Sequence, residues 1–460
     1  MTYQSVNPYD GTVLKTFASL TDAQLESSIA SAAFCFDVWR QTTFAHRSRV
    51  TARAAAIMRS RVDEYARLVT LEMGKRIDEA RDEVLLSAAI IDYYAKNAEL
   101  FLVPVQLTPK IGEADVESSP IGVLFGVQPW NFPYYQLARF AAPNLMAGNV
   151  VMVKHAASVP QCATAFEQLW IEAGAPLGAY TNLRISHDQA NVVIDDPRVR
   201  GVAFTGSAEA GKSVAARAGQ NLKKTTMELG GSDAFIVLDD ADIDKTVKCA
   251  VQARMANTGQ SCVAGKRFIM VEGVADEFIA KFKAALEVFT PGDPMDTATT
   301  LAPMSSEAAL VKLLQQVDAA IAAGATVVLG GKRILMPGAF MQPTILTHVS
   351  RDNPAFREEF FGPVAMLFRV QDEDAAVELA NDSEFGLGGS VFTKDIERGR
   401  RVASRIESGM VFINQPTGSS PELPFGGIKN SGFGRELGGE GIQEFVNKKL
   451  IRVASIDAMA

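Results

Sequence analysis

The sequence predicts an α/β protein with two doubly wound parallel sheets, a helical layer ahead of them and a β-hairpin arm. Three observations carry this. From Ile121, short β-rich runs (IGVLFGV, VVMVK, TNLRIS, RGVAFTG) alternate with helical stretches, the pattern of a parallel sheet wound by crossover helices. The alternation resumes beyond Ser232 with AFIVL, RFIMV, TVVLGG and MVFIN, so a second α/β region follows the first. Between the helical layer and the first region, residues 101–120 alternate weakly around a polar tip, KIGEAD. An arm of this kind exposes a strand edge that seeks another subunit. At 460 residues the chain also exceeds what one hydrophobic core usually organises.

Taken in order, the first hundred residues read as mainly helical. Thr21 and Gln24 form a capping box, and Leu25, Ile29, Ala32, Phe36 and Trp39 follow helical spacing on one face. Residues 47–73 and 78–100 repeat the theme, with Glu72 and Glu79 read as solvated helix charges. The first α/β region predicts helices over 134–147, 160–173 and 189–194, and another from Ala208. The second predicts helices over 242–257, 275–289, 307–323, 374–381 and 396–406. The glycine-rich stretch PFGGIKNSGFG, 424–434, is expected as a loop. The closing KKLIRV reads as an edge strand, a mate for the arm of a neighbouring subunit.

Composition narrows the function. A net charge of −8 argues against a nucleic-acid partner, which needs a basic surface. Four cysteines without C-x-x-C spacing and four scattered histidines predict neither disulfides nor a metal site. The start, MTYQSVNPYDG, lacks a signal pattern, and no apolar run is long enough to span a bilayer; a cytoplasmic protein is expected.

In doubly wound sheets ligands bind beyond the carboxyl ends of strands, so the residues just after each strand matter most. After VLFGV, two prolines lock a segment carrying Asn131, whose amide could hold a developing oxyanion. Lys154 ends VVMVK, within reach of a ribose hydroxyl or phosphate. Gly206 and Ser207 precede a helix, and a serine-capped helix N-terminus favours a phosphate. GSAEAGKS, 206–213, also satisfies the phosphate-loop rule of nucleotide hydrolases, with AFIVLDD as a rival magnesium-binding strand. Glu228, in MELGG, is a candidate general base once burial raises its pKa. Cys262 sits in a polar, glycine-containing loop, NTGQSCVAGK, suited to a reacting thiol.

PWNFP, FTGS, MELGG, GQSC, EEFFGPV and PFGGIKNSGFGRE, in this order and spacing, resemble the aldehyde dehydrogenase superfamily over essentially the whole chain. The resemblance implies a cofactor-binding Rossmann-like domain at 1–100 and 121–229, and a catalytic domain at 230–437. The oligomerisation arm would comprise 101–120 and 438–460, in a homodimer or homotetramer. It makes Cys262 the nucleophile, Glu228 the general base and Asn131 an oxyanion donor. Gly206 and Ser207 would meet the cofactor pyrophosphate, Lys154 and Glu359 the riboses, and Trp130 and Phe361 would flank the cofactor. Glu436 matches an acidic position that assists proton transfer. Many NAD-preferring relatives carry glutamate where this chain has Ala157, which leaves room for a 2′-phosphate and favours NADP over NAD.

WNFPYYQLARFAAP and KHA look most like bacterial succinate-semialdehyde dehydrogenases. Arg139 stands where those enzymes bind the distal carboxylate, and Ser419 and Ser420 lie in their serine region. The second arginine of many such enzymes is Ala256 here, with Arg254 nearby in sequence. Glutarate semialdehyde is the alternative substrate.

Overall fold

The computed structural model describes residues 3–459; residues 1, 2 and 460, at the ends of the outermost expected segments, lie outside the described residues. The chain opens on an antiparallel hairpin, Tyr3–Val6 with Val13–Phe17, which the helical reading of the first hundred residues did not anticipate. Its first helix, Asp22–Trp39, begins with the expected reciprocal Thr21–Gln24 capping box. The stretch 47–73 is two helices, Phe44–Ser60 and Val62–Met73, broken at Arg61, and Ile77–Phe101 completes the helical layer.

The first α/β region forms a six-stranded sheet. Strand Val123–Gln128 lies at its centre, between Val150–His155 and Val199–Thr205, and all three run parallel. Tyr180–Asn182 and Lys224–Glu228 extend the two sides. The chain therefore winds first one way and then the other from Val123–Gln128. The switch point falls between the carboxyl ends of Val123–Gln128 and Val199–Thr205, where such sheets bind dinucleotides. Helix Pro133–Ala147 is buried along its whole length, between the helical layer and the sheet.

The second region forms a seven-stranded sheet centred on Asp233–Val237, Gly265–Val271 and Val364–Val370. Its phenylalanines 235, 268, 278, 282 and 392 pack into one aromatic cluster on one face. The segment 424–434 is not a plain loop. Ile428–Lys429 pairs with Phe385–Gly386, and Gly432–Phe433 adds an antiparallel edge to the first sheet beside Glu228. Gly432 has φ 105°, and a Cβ there would drive into the Met227 carbonyl, so only glycine lets the two strands close.

The arm is a three-stranded antiparallel sheet, Val446–Val453, Glu113–Pro120 and Val105–Leu107. The closing strand thus pairs with the arm of its own chain, over eight residues, and not with a neighbour's as expected. The polar tip and long hairpin bring the two segments together within one chain, leaving the sheet's outer edges open.

The two glutamates read as solvated are not. Glu72 is 1% exposed and accepts from the backbone N–H groups of Gln161 and Cys162 at 2.9 Å each, capping helix Pro160–Ala173. Burial raises its pKa in spite of those bonds. Glu79 accepts from Asn257 N–H at 3.1 Å and so anchors the cysteine loop. A helix pattern shows which face turns inward but not that a carboxylate on it will meet orphan N–H groups of another segment.

The phosphate-loop reading also fails. Gly211, Lys212 and Ser213 sit inside helix Ala208–Gln220, with Lys212 exposed, whereas a phosphate loop wraps its anion ahead of the helix. AFIVLDD lies in the other sheet, and Asp240 accepts from Thr393 Oγ1 and the backbone N–H groups of Lys394 and Asp395.

Candidate active site

The cysteine loop is built by three consecutive left-handed residues, Asn257, Thr258 and Gly259, with φ of 54°, 53° and 72°. Two of them are not glycine, so neighbouring bonds must hold this turn in place. Arg254, fully buried, donates to the Gly259 carbonyl at 2.6 Å and to Val364 O at 3.2 Å. Asn257 Nδ2 donates to the carbonyls of Asn131 and Gln260 at 2.9 and 3.0 Å. Arg254 is thereby committed to structure and does not replace the absent second arginine.

Behind the loop lies Lys266, also fully buried. Its ammonium donates to Ser261 O at 2.8 Å, Cys262 O at 2.6 Å and Glu359 Oε1 at 3.0 Å. All three of its protons are thus engaged. Gly231 approaches from the first sheet, where a Cβ would stand 2.7 Å from the Cys262 carbonyl oxygen. Burial pushes the Cys262 thiol up to about 11, against the pull of Arg139 first and Lys266 second. At neutral pH the resting group is a thiol, so a thiolate requires a base or a bound ligand.

Asn131 is 3% exposed and tied on every side. Its Nδ2 donates to Gln260 O at 3.1 Å, its Oδ1 accepts from Gln136 Nε2 at 2.9 Å and its carbonyl accepts from Lys75 Nζ at 3.0 Å. An amide carries two N–H donors, so one of the pair on Nδ2 is left for a ligand. Lys75 is in turn ion-paired with Glu83, and Glu83 Oε1 accepts from the N–H groups of Tyr134 and Tyr135 at the start of helix Pro133–Ala147. His155 pins the preceding turn. Its Nδ1 accepts from Ala156 N–H at 2.9 Å, which leaves Nε2–H to donate to Pro133 O at 3.0 Å; burial lowers its pKa to about 4.

Glu228 ends strand Lys224–Glu228, 2% exposed, with no hydrogen-bond partner for either carboxylate oxygen among the described residues. Burial raises its pKa well above the usual carboxylate range, with nearby Arg139 opposing. Oε1 lies 2.8 Å from where a Cβ on Gly426 would stand, so the glycine makes room for it. An unpartnered buried carboxyl of raised pKa is the signature of a group that works on protons.

The expected cofactor residues gather at the switch point. Ser207 caps helix Ala208–Gln220, accepting from Ala210 N–H at 3.4 Å, directly after strand Val199–Thr205. Gly206 N–H donates to Glu228 O at 3.0 Å. Lys154 lies near the end of the neighbouring strand Val150–His155, and partly exposed Ala157 follows it. Lys154 is 5% exposed and makes no ion pair among the described residues, and burial lowers its pKa. Glu359 accepts from Gly231 N–H at 3.0 Å as well as from Lys266. Trp130 and Phe361 meet edge to face, ring centroids 5.8 Å apart. An unpaired buried cation, a free helix N-terminus and two rings fit a phosphorylated dinucleotide.

A cavity of ≈ 190 Å³ opens beside Cys262, its wall including Phe132, Tyr135, Arg139, Ser419 and Phe425. Arg139 is 1% exposed and ion-paired with Glu436 through Nε. Its Nη1 donates to Tyr135 Oη at 3.1 Å and its Nη2 to Thr205 Oγ1 at 3.3 Å. Tyr135 Oη and Ser419 Oγ lie 2.7 Å apart. Ser420 Oγ is buried and its side chain interacts with that of Glu422, and Ala256 lines the cavity. Sequence reasoning missed Tyr135, Lys75, Glu83, Lys266 and Phe425. Only Tyr135 had a local signal: it stands four residues before Arg139 on one helix face.

A doubly wound sheet whose switch point opens onto a partly buried thiol and an unpartnered carboxyl defines a dinucleotide-dependent oxidoreductase. The chain belongs to the aldehyde dehydrogenase family, whose profile matches residues 1–451. It is 51% identical over 450 residues to succinate-semialdehyde dehydrogenase [NADP(+)] of Deinococcus radiodurans, covering 98% of this chain and 94% of that one. It is 44% identical to the probable succinate-semialdehyde dehydrogenase [NADP(+)] of Synechocystis sp., over 99% of this chain and 100% of that one. The crystal structure of succinic semialdehyde dehydrogenase from Streptococcus pyogenes, in complex with NADP+, superposes with a TM-score of 0.97 at 46% identity, covering 98% and 100% of the two chains.

Proposed function

We propose that the chain oxidises succinate semialdehyde to succinate with NADP. The observation that carries this is a cavity that has the Cys262 thiol on its wall and Arg139 as the one charged side chain lining it among the described residues. An aldehyde at the sulfur can then place a distal carboxylate on the guanidinium. The similarity to NADP-dependent succinate-semialdehyde dehydrogenases supports the same reading.

In this reading the Cys262 thiol gives up its proton to solvent, the thiolate Sγ adds to the aldehyde carbon, and the developing oxyanion is held by Asn131 Nδ2 and the Cys262 N–H. NADP, when bound, supplies a hydride acceptor, and the adduct becomes a thioester on Cys262. Glu228 takes a proton from water, which attacks the thioester and frees the thiol and a carboxylate. Lys154, Ser207, Glu359, Trp130 and Phe361 would hold the cofactor.

The test is a panel of aldehydes with and without a terminal carboxylate, glutarate semialdehyde included. Arg139→Ala is expected to lower kcat/KM for succinate semialdehyde by about 10²-fold or more, and for butanal by only a few fold. Because that change strands Glu436, the double variant Arg139→Met/Glu436→Gln should show the same selectivity loss without an unpaired buried charge. Equal losses on both aldehydes would remove Arg139 from substrate recognition.

Ala157 presents no carboxylate to a 2′-phosphate, and Lys154 offers a cation that has no ion-pair partner among the described residues and lies 5.9 Å from the Tyr3 ring centroid. NADP should exceed NAD in kcat/KM by about tenfold or more, and Ala157→Glu should reverse the order by like-charge repulsion. A wild-type preference for NAD would refute the cofactor assignment.

The arm supports assembly into a homodimer or homotetramer, since Val105, Leu107, Leu450 and Val453 are 45–60% exposed on its outer strands. Light scattering on the intact chain tests this, and a monomer at micromolar concentration would exclude it. No described helix is long and apolar enough to cross a membrane.

A further inference from the structure

Among the described residues, Arg139 is the only charged one on the wall of the cavity beside Cys262. It is clamped between two rings, its guanidinium carbon 4.9 Å from the Tyr135 centroid and 4.8 Å from that of Phe425. A guanidinium buried there without a counter-charge is costly. Glu436 supplies that charge from behind, at Nε, without lining the cavity itself. Its carboxylate is 6% exposed, and its backbone exchanges N–H···O bonds of 2.8 and 2.7 Å with Phe425, so the pair cannot relax by swinging into solvent.

The donors of Arg139 can be followed one by one. Of five N–H groups, Nε lies against Glu436 as an ion pair, one on Nη1 donates to Tyr135 and one on Nη2 donates to Thr205. Two remain for a ligand. Any anion that takes them meets a cation whose charge Glu436 already offsets. The proposed reaction adds a second carboxylate to a molecule that enters with one. The product therefore lies beside a guanidinium that also feels the Glu228 carboxyl.

We propose that Glu436 is a specificity-tuning counter-ion: it shares Arg139 with the distal carboxylate of the substrate, moderating the grip on that group so that the dicarboxylate product is released. This rests on the reading of Arg139 as the carboxylate receptor. Glu436 does not line the cavity and meets the substrate only through the guanidinium, although its charge also helps to raise the pKa of Glu228.

Glu436→Gln keeps the size of the side chain and an oxygen acceptor for Nε while removing the charge. Titration of succinate into the variant saturated with NADPH, followed by calorimetry, reads affinity independently of turnover. Succinate should bind about tenfold more tightly than to wild type, and KM for succinate semialdehyde should fall by a similar factor. KM for butanal, which has no distal carboxylate, should stay within about twofold. Glu436→Asp, which keeps the charge, should hold succinate as weakly as wild type does, and it guards against a general effect of disturbing the pair. Unchanged or weaker succinate binding by Glu436→Gln would overturn the proposal, as would equal tightening by both variants. Failure of the substrate reading shows separately, as equal losses on both aldehydes in the Arg139→Ala comparison.

Discussion

Cys262→Ala is expected to abolish aldehyde oxidation, lowering kcat by at least ~10⁴-fold, while NADP binds within about twofold of the wild-type affinity. The sulfur forms the covalent bond on which oxidation depends, and no other described cysteine can take its place. Cys35 and Cys162 are buried in the first core, and Cys249 packs with the second core on helix Ile243–Met255. The binding half of the prediction follows from geometry. The expected cofactor residues lie on strand ends, in connecting loops and at one helix N-terminus, and the cysteine loop is held by Lys266, Asn257 and Arg254 through backbone carbonyls of which none depends on the thiol. Fluorescence titration with NADPH and a cofactor-reduction assay separate the two halves. Turnover close to wild type would remove Cys262 from the chemistry, whereas loss of cofactor binding would make its role structural.

Glu228→Gln should leave the first half of the reaction and stop the second. A burst of NADPH equal to the active-site concentration is expected, followed by a steady rate ~10²–10⁴-fold below wild type as the thioester accumulates. The pH dependence has a definite sign. Burial favours the neutral carboxyl, so the folded pKa lies above the unfolded one. A neutral carboxyl cannot accept a proton, so wild-type deacylation should rise with pH through that raised value and the variant should lack the rise. For stability the same shift acts in the opposite direction. The folded chain binds the extra proton, so stability present below the unfolded value of about 4.3 is lost as pH rises through the folded pKa. Denaturant unfolding at several pH values should therefore show a shallower decline for Glu228→Gln. A variant that turns over steadily without a burst would end the assignment.

Much of the site was legible in the chain because its parts sit at strand ends. PWNFP, FTGS and MELGG each follow a β run, and a doubly wound sheet brings such ends to one side without further instruction. The thiol loop was legible from its polar company. Its support was not. Lys266 looks like an ordinary lysine between a glycine and an arginine, yet it joins Ser261, Cys262 and Glu359 across 93 residues of sequence. Glu72 and Glu79 read as surface charges because helical periodicity shows orientation and not the N–H groups of distant segments that need an acceptor.

The sequence by itself determined the class of fold, the family and the residues able to react, since these follow from local pattern and from side-chain chemistry at fixed offsets. Only the tertiary structure decided what each charge faces. It turned Arg254 into a loop brace, closed the last strand onto the arm of its own chain, and set Glu436 against Arg139. The reason is that burial and pairing depend on contacts between segments hundreds of residues apart, and it is those contacts that decide whether a buried ion is braced, neutralised or left free to act.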